Sequence, residues 1–291
     1  MKLIDTHCHL FMDPLSRDVE GVLERAGKAG VKRVVVTAYD LDSWGAVRDL
    51  GTLEGVHAAL GLHPRAAHQV ATPDAPVDNA TARVRPPSEP DHTEPNLGLR
   101  AMALEPLTLV QFRDCLAADL EGSGAVAIGE IGLDFSSGRP TPSEQVAVLK
   151  CQLELAVDLD LPVSLHCFNG WEILFGALQP LIGRIRGVLH AYTRHPELAG
   201  PVLKCGFYVS FGGDITRPEA KRAHRSAEAL ALDRIVLESD APVTGLNGVD
   251  PEETEPRHVQ DVAQTLAGIR NTTIEQIAEI TTNNARELFR I

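Results

Sequence analysis

Eight short apolar segments recur along the chain, and amphipathic helical segments lie between them. Most are continuous runs of aliphatic or β-branched residues, such as the three valines Val34–Val36. Continuous runs are typical of strands that are buried on both faces, and such strands are usually parallel. The predicted strands are Lys2–Asp5, Arg33–Thr37, Val56–Leu60, Ala125–Gly129, Pro162–Leu165, Gly187–Leu189, Phe207–Phe211 and Arg234–Leu237.

The segments with a helical period include Asp18–Ala29, Ser143–Asp158 and Thr273–Leu288. Strands that alternate with helices indicate an α/β fold. No glycine-rich dinucleotide motif follows the first strand, which favours a closed (β/α)8 TIM barrel over an open doubly wound sheet. A length of 291 residues suits one barrel, so we predict a single domain over residues 1–291.

One segment interrupts this alternation. Residues 71–98, after the third predicted strand, contain several prolines and acidic residues and have no apolar period. A loop that follows a barrel strand leaves the barrel at its C-terminal face, where the active sites of barrel enzymes lie. The insertion is therefore either a lid or selectivity element, or a tolerated loop with no role.

The formal net charge of −13 disfavours a broad surface for binding a long polyanion. A pocket for one phosphate or one strand end is still compatible with this charge, because bound divalent cations would supply positive charge locally. The five cysteines have no CxxC spacing, and neither a secretory signal nor an apolar run of about 18 residues is present. We therefore expect a cytoplasmic protein with reduced thiols and no membrane segment, and a monomer or at most a weak oligomer.

Histidines gather at the predicted strand ends. His7 and His9 follow the first strand, and because alternate residues of a strand share a face, both point the same way. His166 and His190 follow the fifth and sixth strands. Each pattern alone has a structural explanation, as part of a turn or as a core histidine, but in a barrel all four project at the same rim.

Carboxylates at two further strand ends complete this set. Glu130 follows the fourth strand and needs a cation or a salt-bridge partner, because an isolated buried carboxylate is costly. Asp240 follows the eighth strand, which lies beside the first in a closed barrel. We expect Glu238 to support a ligand or cap a helix rather than bind metal. The predicted metal ligands are His7, His9, Glu130, His166, His190 and Asp240, with Glu130 and Asp240 as the catalytic carboxylates.

The sequence resembles the TatD family of metal-dependent deoxyribonucleases, which belongs to the amidohydrolase-like barrels. The resemblance runs nearly end to end and includes DTHCH at Asp5–His9, GLHP at Gly61–Pro64, AIGEIGLDF at Ala127–Phe135 and ESDAP at Glu238–Pro242. It implies one divalent ion bound by His7, His9, Glu130 and Asp240, and a second bound by Glu130, His166 and His190. It also implies hydrolysis of phosphodiesters, typified by 3′–5′ trimming of DNA ends, and some members of the family deacylate aminoacyl-tRNA.

Two divalent ions are therefore the expected cofactors, and Mg, Mn and Zn are all compatible with mixed imidazole and carboxylate ligands. The ions would activate a water molecule and polarise the bond that is cleaved. In this mechanism Asp240 aligns the water and accepts its proton.

The residues expected to contact substrate depart from the family pattern. The family usually carries an arginine two residues after the histidine of the fifth strand, whereas Cys167, Phe168 and Asn169 follow His166 here. Arg65 replaces the second histidine of GxHPH, and it either supplies the displaced positive charge or is a solvent-exposed loop residue. The predicted substrate contacts are His63, Arg65, Tyr192 and Arg194.

Three classes of function stay open. The first is a nuclease or phosphodiesterase acting on nucleic-acid ends or a small phosphodiester. The second is an amide or ester hydrolase, including a tRNA-linked deacylase, with an acyl substrate. The third is an inactive relative that serves as an interaction module, which the complete ligand set disfavours. We predict the first, although the missing arginine and the acidic composition shift weight towards the second.

Overall fold

Eight parallel strands pair side by side in chain order. We describe a computed structural model of the protein, in which residues 1–72, 105–136 and 140–291 are described. The strands are β1 Leu3–Cys8, β2 Val31–Thr37, β3 Val56–Leu60, β4 Ala127–Asp134, β5 Val163–Phe168, β6 Gly187–Leu189, β7 Tyr208–Phe211 and β8 Ile235–Leu237. Two short segments, Val70–Ala71 and Leu107–Thr108, pair with each other outside this sheet.

The first and last strands meet at the C-terminal rim of the sheet. The Asp240 amide donates to the carbonyl oxygen of His7 at 3.0 Å, and the His9 amide donates to that of Ala241 at 2.8 Å. The Thr6 hydroxyl also donates to the carbonyl oxygen of Leu237 at 2.9 Å. These bonds bring the edges of the sheet together, and the prediction of a single-domain TIM barrel is confirmed.

Helices alternate with the strands. They are α1 Val19–Lys28, α2 Ser43–Leu50, α3 Leu109–Ser123, α4 Pro142–Asp158, α5 Trp171–Leu178, α6 Pro196–Lys204, α7 Lys221–Ala229, α8 Val259–Arg270 and α9 Ile274–Phe289. The three helices predicted from periodicity are α1, α4 and α9, with ends that differ by one residue at most. Side-chain caps explain the starts, because Asp18, Thr141 and Thr273 each accept a hydrogen bond from the first turn of α1, α4 and α9.

Three strands continue further than predicted. β1, β4 and β5 end at Cys8, Asp134 and Phe168 instead of Asp5, Gly129 and Leu165. The prediction ended each strand where polar residues or glycines begin. The polar residues and glycines beyond these predicted ends still pair with the neighbouring strands, and Asp134 of β4 lies opposite Phe168 of β5 at the barrel rim. The strands can continue there because the polar side chains face the interior of the barrel and not solvent. Glu130 and His166 consequently lie within strands.

The N-terminal end of the barrel interior is apolar and is closed by α9. Asn284 ties this helix to the barrel, because its side-chain amide donates to the carbonyl oxygens of Leu232 and Ile235. The apolar layer consists of Ile4, Val35, Ala59, Ala127, Val188, Tyr208 and Val236, packed against Ala285, Leu288 and Phe289 of α9.

The interior becomes polar towards the C-terminal end. Two residues beyond Ile4, Val35 and Tyr208, and therefore on the same strand faces, lie Thr6, Thr37 and Ser210. All three polar side chains are fully buried. Charged residues that follow this layer along the strands are held inside the rim, at the end of a TIM barrel where active sites lie.

The predicted insertion at 71–98 lies outside the described residues from position 73 onwards, so its proposed role as a lid stays a prediction. All five cysteines are free thiols. Across the described ranges, none of the helices has the length and apolar character that crossing a membrane requires.

Replacing Phe289 with alanine should lower the free energy of unfolding by about 3 kcal/mol, because it removes a buried ring from the layer that closes the barrel. Urea denaturation followed by circular dichroism measures this loss. Leu53→Ala is the control, since Leu53 is 39% exposed and its truncation should change stability by about 0.5 kcal/mol or less. Equal losses in the two variants would contradict a stabilising role for the α9 closure.

Candidate active site

The carboxylate of Glu130 lies inside the rim among five imidazole rings. Its Oε2 atom is 3.4 Å from His7 Nε2 and 3.6 Å from His9 Nε2. Its Oε1 atom faces the other three rings, at 2.8 Å from His190 Nε2, 3.0 Å from His166 Nδ1 and 3.5 Å from His63 Nε2. The two oxygens of one carboxylate therefore face two different groups of histidines.

Asp240 lies on the side of the first group. Its Oδ1 atom is 3.8 Å from His7 Nε2 and 3.7 Å from His9 Nε2. The Thr244 hydroxyl donates to Oδ2 at 2.6 Å, which fixes the orientation of the carboxylate. Asp240 has a backbone φ of 52°, in the left-handed region, where aspartate is tolerated better than most residues.

Buried hydrogen bonds orient the first two histidines. His9 Nδ1 is 3.0 Å from the carbonyl oxygen of Thr37, which can only accept, so Nδ1 donates. His7 Nδ1 lies 3.1 Å from the Ser164 hydroxyl, and Thr37 Oγ1 lies 3.0 Å from His7 Nε2. Thr37 and Ser164 received no role from the sequence, although both lie within predicted strands, Arg33–Thr37 and Pro162–Leu165.

Carboxylates lie behind the other two rim histidines. His166 Nε2 is 3.7 Å from Asp134 Oδ2, and His190 Nδ1 is 3.6 Å from Glu238 Oε1. Both distances are too long for hydrogen bonds, so these contacts are electrostatic. Glu238 is fully buried and its Oε1 accepts from the Ala191 amide at 2.6 Å. Glu238 thus contacts the outer nitrogen of His190.

His63 and Arg65 follow β3 at the same rim. His63 is 1% exposed, stacks on Tyr39 with ring centroids 4.6 Å apart, and accepts a hydrogen bond at Nδ1 from the Arg65 amide. Arg65 Nε donates to Asp134 Oδ2 at 2.7 Å, and Nη2 donates to the Ser136 hydroxyl at 2.9 Å. Arg65 is therefore ion-paired at the site. Asp134 was quoted within a motif but assigned no role, and its position at the end of an apolar strand was the available signal.

Tyr192 and Arg194 follow β6. Tyr192 is 2% exposed, and its hydroxyl donates to the carbonyl oxygen of His195 at 2.5 Å. The Tyr192 side chain is therefore packed within the loop, and its contact with substrate stays a prediction. The Arg194 guanidinium lies over the Phe168 ring, 5.7 Å from the centroid.

The histidines around Glu130 have opposite pKa shifts. Burial lowers the pKa values of His9 and His63 to about 3. Burial also disfavours charge on His166, but the carboxylates of Asp134 and Glu130 outweigh it and raise its pKa to about 9. The pKa of His190 is likewise raised, by Glu130 and Glu238. The imidazoles therefore do not carry equal positive charge around Glu130.

The two principal carboxylates also differ. Burial alone would raise the pKa of Glu130, but His190, His63 and His7 lower it well below its ordinary range. Burial raises the pKa of Asp240 to about 6, against the opposing effects of His190 and His7. At neutral pH Glu130 is thus ionised, while Asp240 is the stronger base of the two.

This set of donor atoms suits divalent cations. Among the residues that the structure describes, three overlapping groups have ligand atoms within 4.8 Å of one another: His7, His9 and Asp240; His7, Glu130 and His190; and His63, Glu130 and His166. The carboxylates buried in and behind these groups are Asp5, Glu130, Asp134, Glu238 and Asp240. So many buried acids with imidazole neighbours need cationic compensation, and nitrogen and oxygen donors of this kind are the ligands of Zn, Mn and related ions.

Comparison with known proteins decides the family. A sequence profile for the family described as "TatD related DNase" matches residues 4–290. The chain belongs to the TatD family. It is 30% identical over 291 residues to the metal-dependent hydrolase YabD of Bacillus subtilis, with 99% of both chains covered. This TatD-family protein is therefore a metal-dependent hydrolase.

Other relatives have names that specify a nucleic acid. The human deoxyribonuclease TATDN3 is 28% identical, with 99% of this chain and 94% of that protein covered. The 3′-5′ ssDNA/RNA exonuclease TatD of Edwardsiella piscicida is 28% identical, with 99% and 100% covered. Among solved structures, the TatD homologue YjjV of Escherichia coli has a TM-score of 0.78 at 29% identity, with 99% of this chain and 98% of that chain covered.

Asp5 connects the closure of the barrel to the site. Its buried carboxylate accepts hydrogen bonds from the His7 amide at 3.3 Å, the Ser239 amide at 2.9 Å and the Ser239 hydroxyl at 2.6 Å. Burial raises the pKa of Asp5 well above its ordinary value, although the bonds from Ser239 oppose this shift. Asp5 thus holds β1 against the segment that carries Asp240, a role that DTHCH did not reveal.

Asp5→Ala should lower the free energy of unfolding by about 3 kcal/mol, because it leaves buried N–H and O–H donors without an acceptor. Chemical denaturation measures the loss. Asp5→Asn is the matched variant and should cost about 1 kcal/mol or less, since the amide oxygen still accepts and the Ser239 hydroxyl can accept from the amide nitrogen. If the asparagine variant were as unstable as the alanine variant, the contact between Asp5 and Ser239 would depend on the charge of the carboxylate instead of hydrogen-bond geometry.

Proposed function

We propose that this TatD-family hydrolase is a phosphodiesterase that trims nucleic-acid ends in the 3′–5′ direction with two divalent ions. The observation that carries the proposal is Glu130, whose two oxygens face separate groups of imidazole nitrogens, as expected for a carboxylate shared by two ions. The choice of nucleic acid is supported by relatives that are named as deoxyribonuclease and ssDNA/RNA exonuclease.

The hydrogen bonds of the rings support a division of the ligands. Because His9 Nδ1 donates to Thr37, its neutral ring has a lone pair on Nε2, the atom that faces Glu130 and Asp240. The ring of His7 has the same orientation, with Nδ1 on Ser164. One ion would be held by His7, His9, Asp240 and Glu130, and the other by His166, His190 and Glu130.

His63 has the opposite hydrogen-bond pattern. Its Nδ1 accepts from the Arg65 amide, so a neutral ring must carry its proton on Nε2, the atom 3.5 Å from Glu130 Oε1. A protonated nitrogen cannot bind a metal ion. We therefore assign His63 as a hydrogen-bond donor to an anionic oxygen of the substrate and not as a ligand, although its position alone is compatible with either role.

When bound, the ions would supply Lewis acidity for the scissile bond and make water easier to deprotonate. Asp240 is the proton acceptor in this proposal. Thr244 occupies its Oδ2 atom, which leaves Oδ1 directed towards His7 and His9, and burial raises its pKa to about 6 so that it is ionised but basic at neutral pH. His63 Nε2–H would stabilise charge that develops on the substrate oxygen.

The types of ligand atom restrict the identity of the ions. Four imidazole nitrogens favour Zn over Mg, because borderline ions prefer nitrogen ligands, while the two carboxylates also suit Mn. The net charge of −13 agrees with recognition of strand ends within the site instead of a long duplex on the surface. Since the whole ligand set comes from one chain, we also propose that a monomer is sufficient for activity.

Glu130→Gln should remove metal and activity together. We expect metal content by mass spectrometry to fall below that of the unaltered protein after reconstitution with Mn, Zn or Mg. Trimming of a single-stranded oligonucleotide should fall by about 100-fold or more, since changes to residues that only orient ligands already cost about 10- to 100-fold. Labels at the 5′ and 3′ ends report the direction.

Undiminished DNA trimming by Glu130→Gln would contradict the proposal. Hydrolysis of a p-nitrophenyl ester by the unaltered enzyme, with no cleavage of the oligonucleotide or of bis(p-nitrophenyl) phosphate, would favour the amide or ester hydrolase instead. The circular dichroism spectrum of Glu130→Gln serves as the check on folding.

The variants His63→Gln and His166→Gln should distinguish a histidine that donates a hydrogen bond to the substrate from one that binds a metal ion. We expect His63→Gln to retain both ions while kcat falls by about 10-fold or more, the effect of losing one preorganised donor. His166→Gln should lose one ion. Metal content and kcat measured on the same preparations provide the comparison, and loss of an ion from His63→Gln would overturn the assignment of His63.

A further inference from the structure

We propose that two buried glutamines of α4, Gln145 and Gln152, are positioning residues for the active site. Each side-chain amide makes hydrogen bonds to both the backbone N–H and the backbone C=O of one residue at the barrel rim. Gln152 bonds in this way to Leu62, the residue before His63. Gln145 bonds in the same way to Asp134. This inference rests on the proposed function and names residues that act through its substrate contact and its metal ligands.

Gln152 holds the loop that follows β3. The Leu62 amide donates to Gln152 Oε1 at 2.8 Å, and Gln152 Nε2 donates to the Leu62 carbonyl oxygen at 3.2 Å. Leu62 is fully buried just beyond β3, which pairs with β4 through Ala59 and Leu60 and ends there. Buried backbone groups need hydrogen-bond partners, and here a side-chain amide takes the place of a neighbouring strand. Because His63 is the next residue, these bonds fix the backbone from which its ring extends.

Gln145 repeats this arrangement at the end of β4. The Asp134 amide donates to Gln145 Oε1 at 2.7 Å, and Gln145 Nε2 donates to the carbonyl oxygens of Asp134 at 2.7 Å and Pro140 at 3.0 Å. The carboxylate of Asp134 in turn lies 3.7 Å from His166 Nε2. A carboxylate behind a metal-binding histidine orients the ring and strengthens its binding to the ion. Gln145 therefore acts on a proposed ligand through Asp134.

The spacing of the two glutamines allows one helix to hold both places. They are seven residues apart, which is close to two turns, so both project from the same face of α4 and lie about 10 Å apart along its axis. Each residue is 1% exposed. A rigid element that holds two loops at a fixed separation keeps the side chains carried by those loops in register. This accounts for two buried amides on a helix that contributes no side chain to the centre itself.

The same amides also support the fold, because each satisfies buried backbone groups. Asn284 of α9 provides the comparison. Its side-chain amide donates to the carbonyl oxygens of Leu232 and Ile235, at the opposite, N-terminal end of the barrel. A change at Asn284 should therefore cost stability without altering the active site. Positioning and support are distinguished by ion binding and kcat, measured beside stability.

Three variants remove the hydrogen bonds and keep an apolar side chain of similar size. They are Gln145→Met, Gln152→Met and the control Asn284→Leu. The metal-free proteins are titrated with Mn or Zn by isothermal titration calorimetry, which gives the number of ions bound and the Kd of each. The kcat and KM values are measured with a single-stranded oligonucleotide, and chemical denaturation gives the stability of each variant.

We expect Gln152→Met to bind both ions normally and to lower kcat by about 10-fold at nearly constant KM, because it misplaces one preorganised donor. In the His63→Gln background the same change should lower kcat by less than about 2-fold, since the donor that it positions is absent. Gln145→Met should raise the Kd of one ion by about 10-fold, the effect of losing support behind one ligand. It should add little to Asp134→Asn, and Asn284→Leu should change neither kcat nor Kd.

Equal effects of Gln145→Met, Gln152→Met and Asn284→Leu on ion binding and kcat would overturn the positioning role. A fall in kcat for Gln152→Met that is the same with and without His63 would also overturn it. If a methionine variant does not fold, the alanine variant takes its place, because its cavity can admit water to the backbone groups.

Failure of the proposed function gives a different result. If the unaltered enzyme binds two ions but cleaves no oligonucleotide, the nuclease function and the role of Gln152 fail together, while the titration of Gln145→Met still decides the role of Gln145. If the unaltered enzyme cleaves the oligonucleotide but binds one ion, the two-ion centre and the role of Gln145 fail together. The kcat of Gln152→Met then decides the role of Gln152.

Discussion

The carboxylate of Glu130 lies within 3.6 Å of five imidazole nitrogens, and much of the structure follows from the cost of placing it there. A buried carboxylate is stable only when nearby groups compensate its charge. The surrounding rings must also be held so that the correct nitrogen faces inward. Thr37 and Ser164, which lie on β2 and β5, orient His9 and His7 of β1 through hydrogen bonds to the Nδ1 atoms of these rings. The centre therefore depends on the register of several strands at once.

The barrel separates this polar centre from its apolar core along one axis. The α9 helix packs against an apolar layer at the N-terminal end, while hydroxyl-bearing residues follow on the same strand faces. Asp5 joins the two requirements, because its carboxylate holds β1 against Ser239 beside Asp240. The hydrogen bonds that close the sheet therefore also bring His7 close to Asp240. This explains the presence of a buried carboxylate at Asp5, a position that contacts no proposed ion.

Strand and helix periodicity were sufficient to predict the barrel, and the rule that parallel strands end at one rim brought His7, Glu130 and Asp240 together correctly. The same reasoning ended β4 too early, because glycine and carboxylate residues resemble a loop when their environment is unknown. It also gave Asp5 and Asp134 no role, since their partners are distant in sequence or lie in a loop. Tyr192 and Arg194 were grouped as substrate contacts, but no periodicity specifies that Tyr192 is buried while Arg194 is partly exposed.

Arg65 and Arg194, the two arginines predicted to contact substrate, each contact a side chain of the protein itself. Arg65 donates to the carboxylate of Asp134, so this pair adds little net charge, and the Arg65 amide donates to Nδ1 of His63 in the same loop. The Arg194 guanidinium lies over the Phe168 ring, two residues beyond His166 on β5. The two arginines therefore have different contacts, which their positions in the loops after β3 and β6 do not specify from sequence.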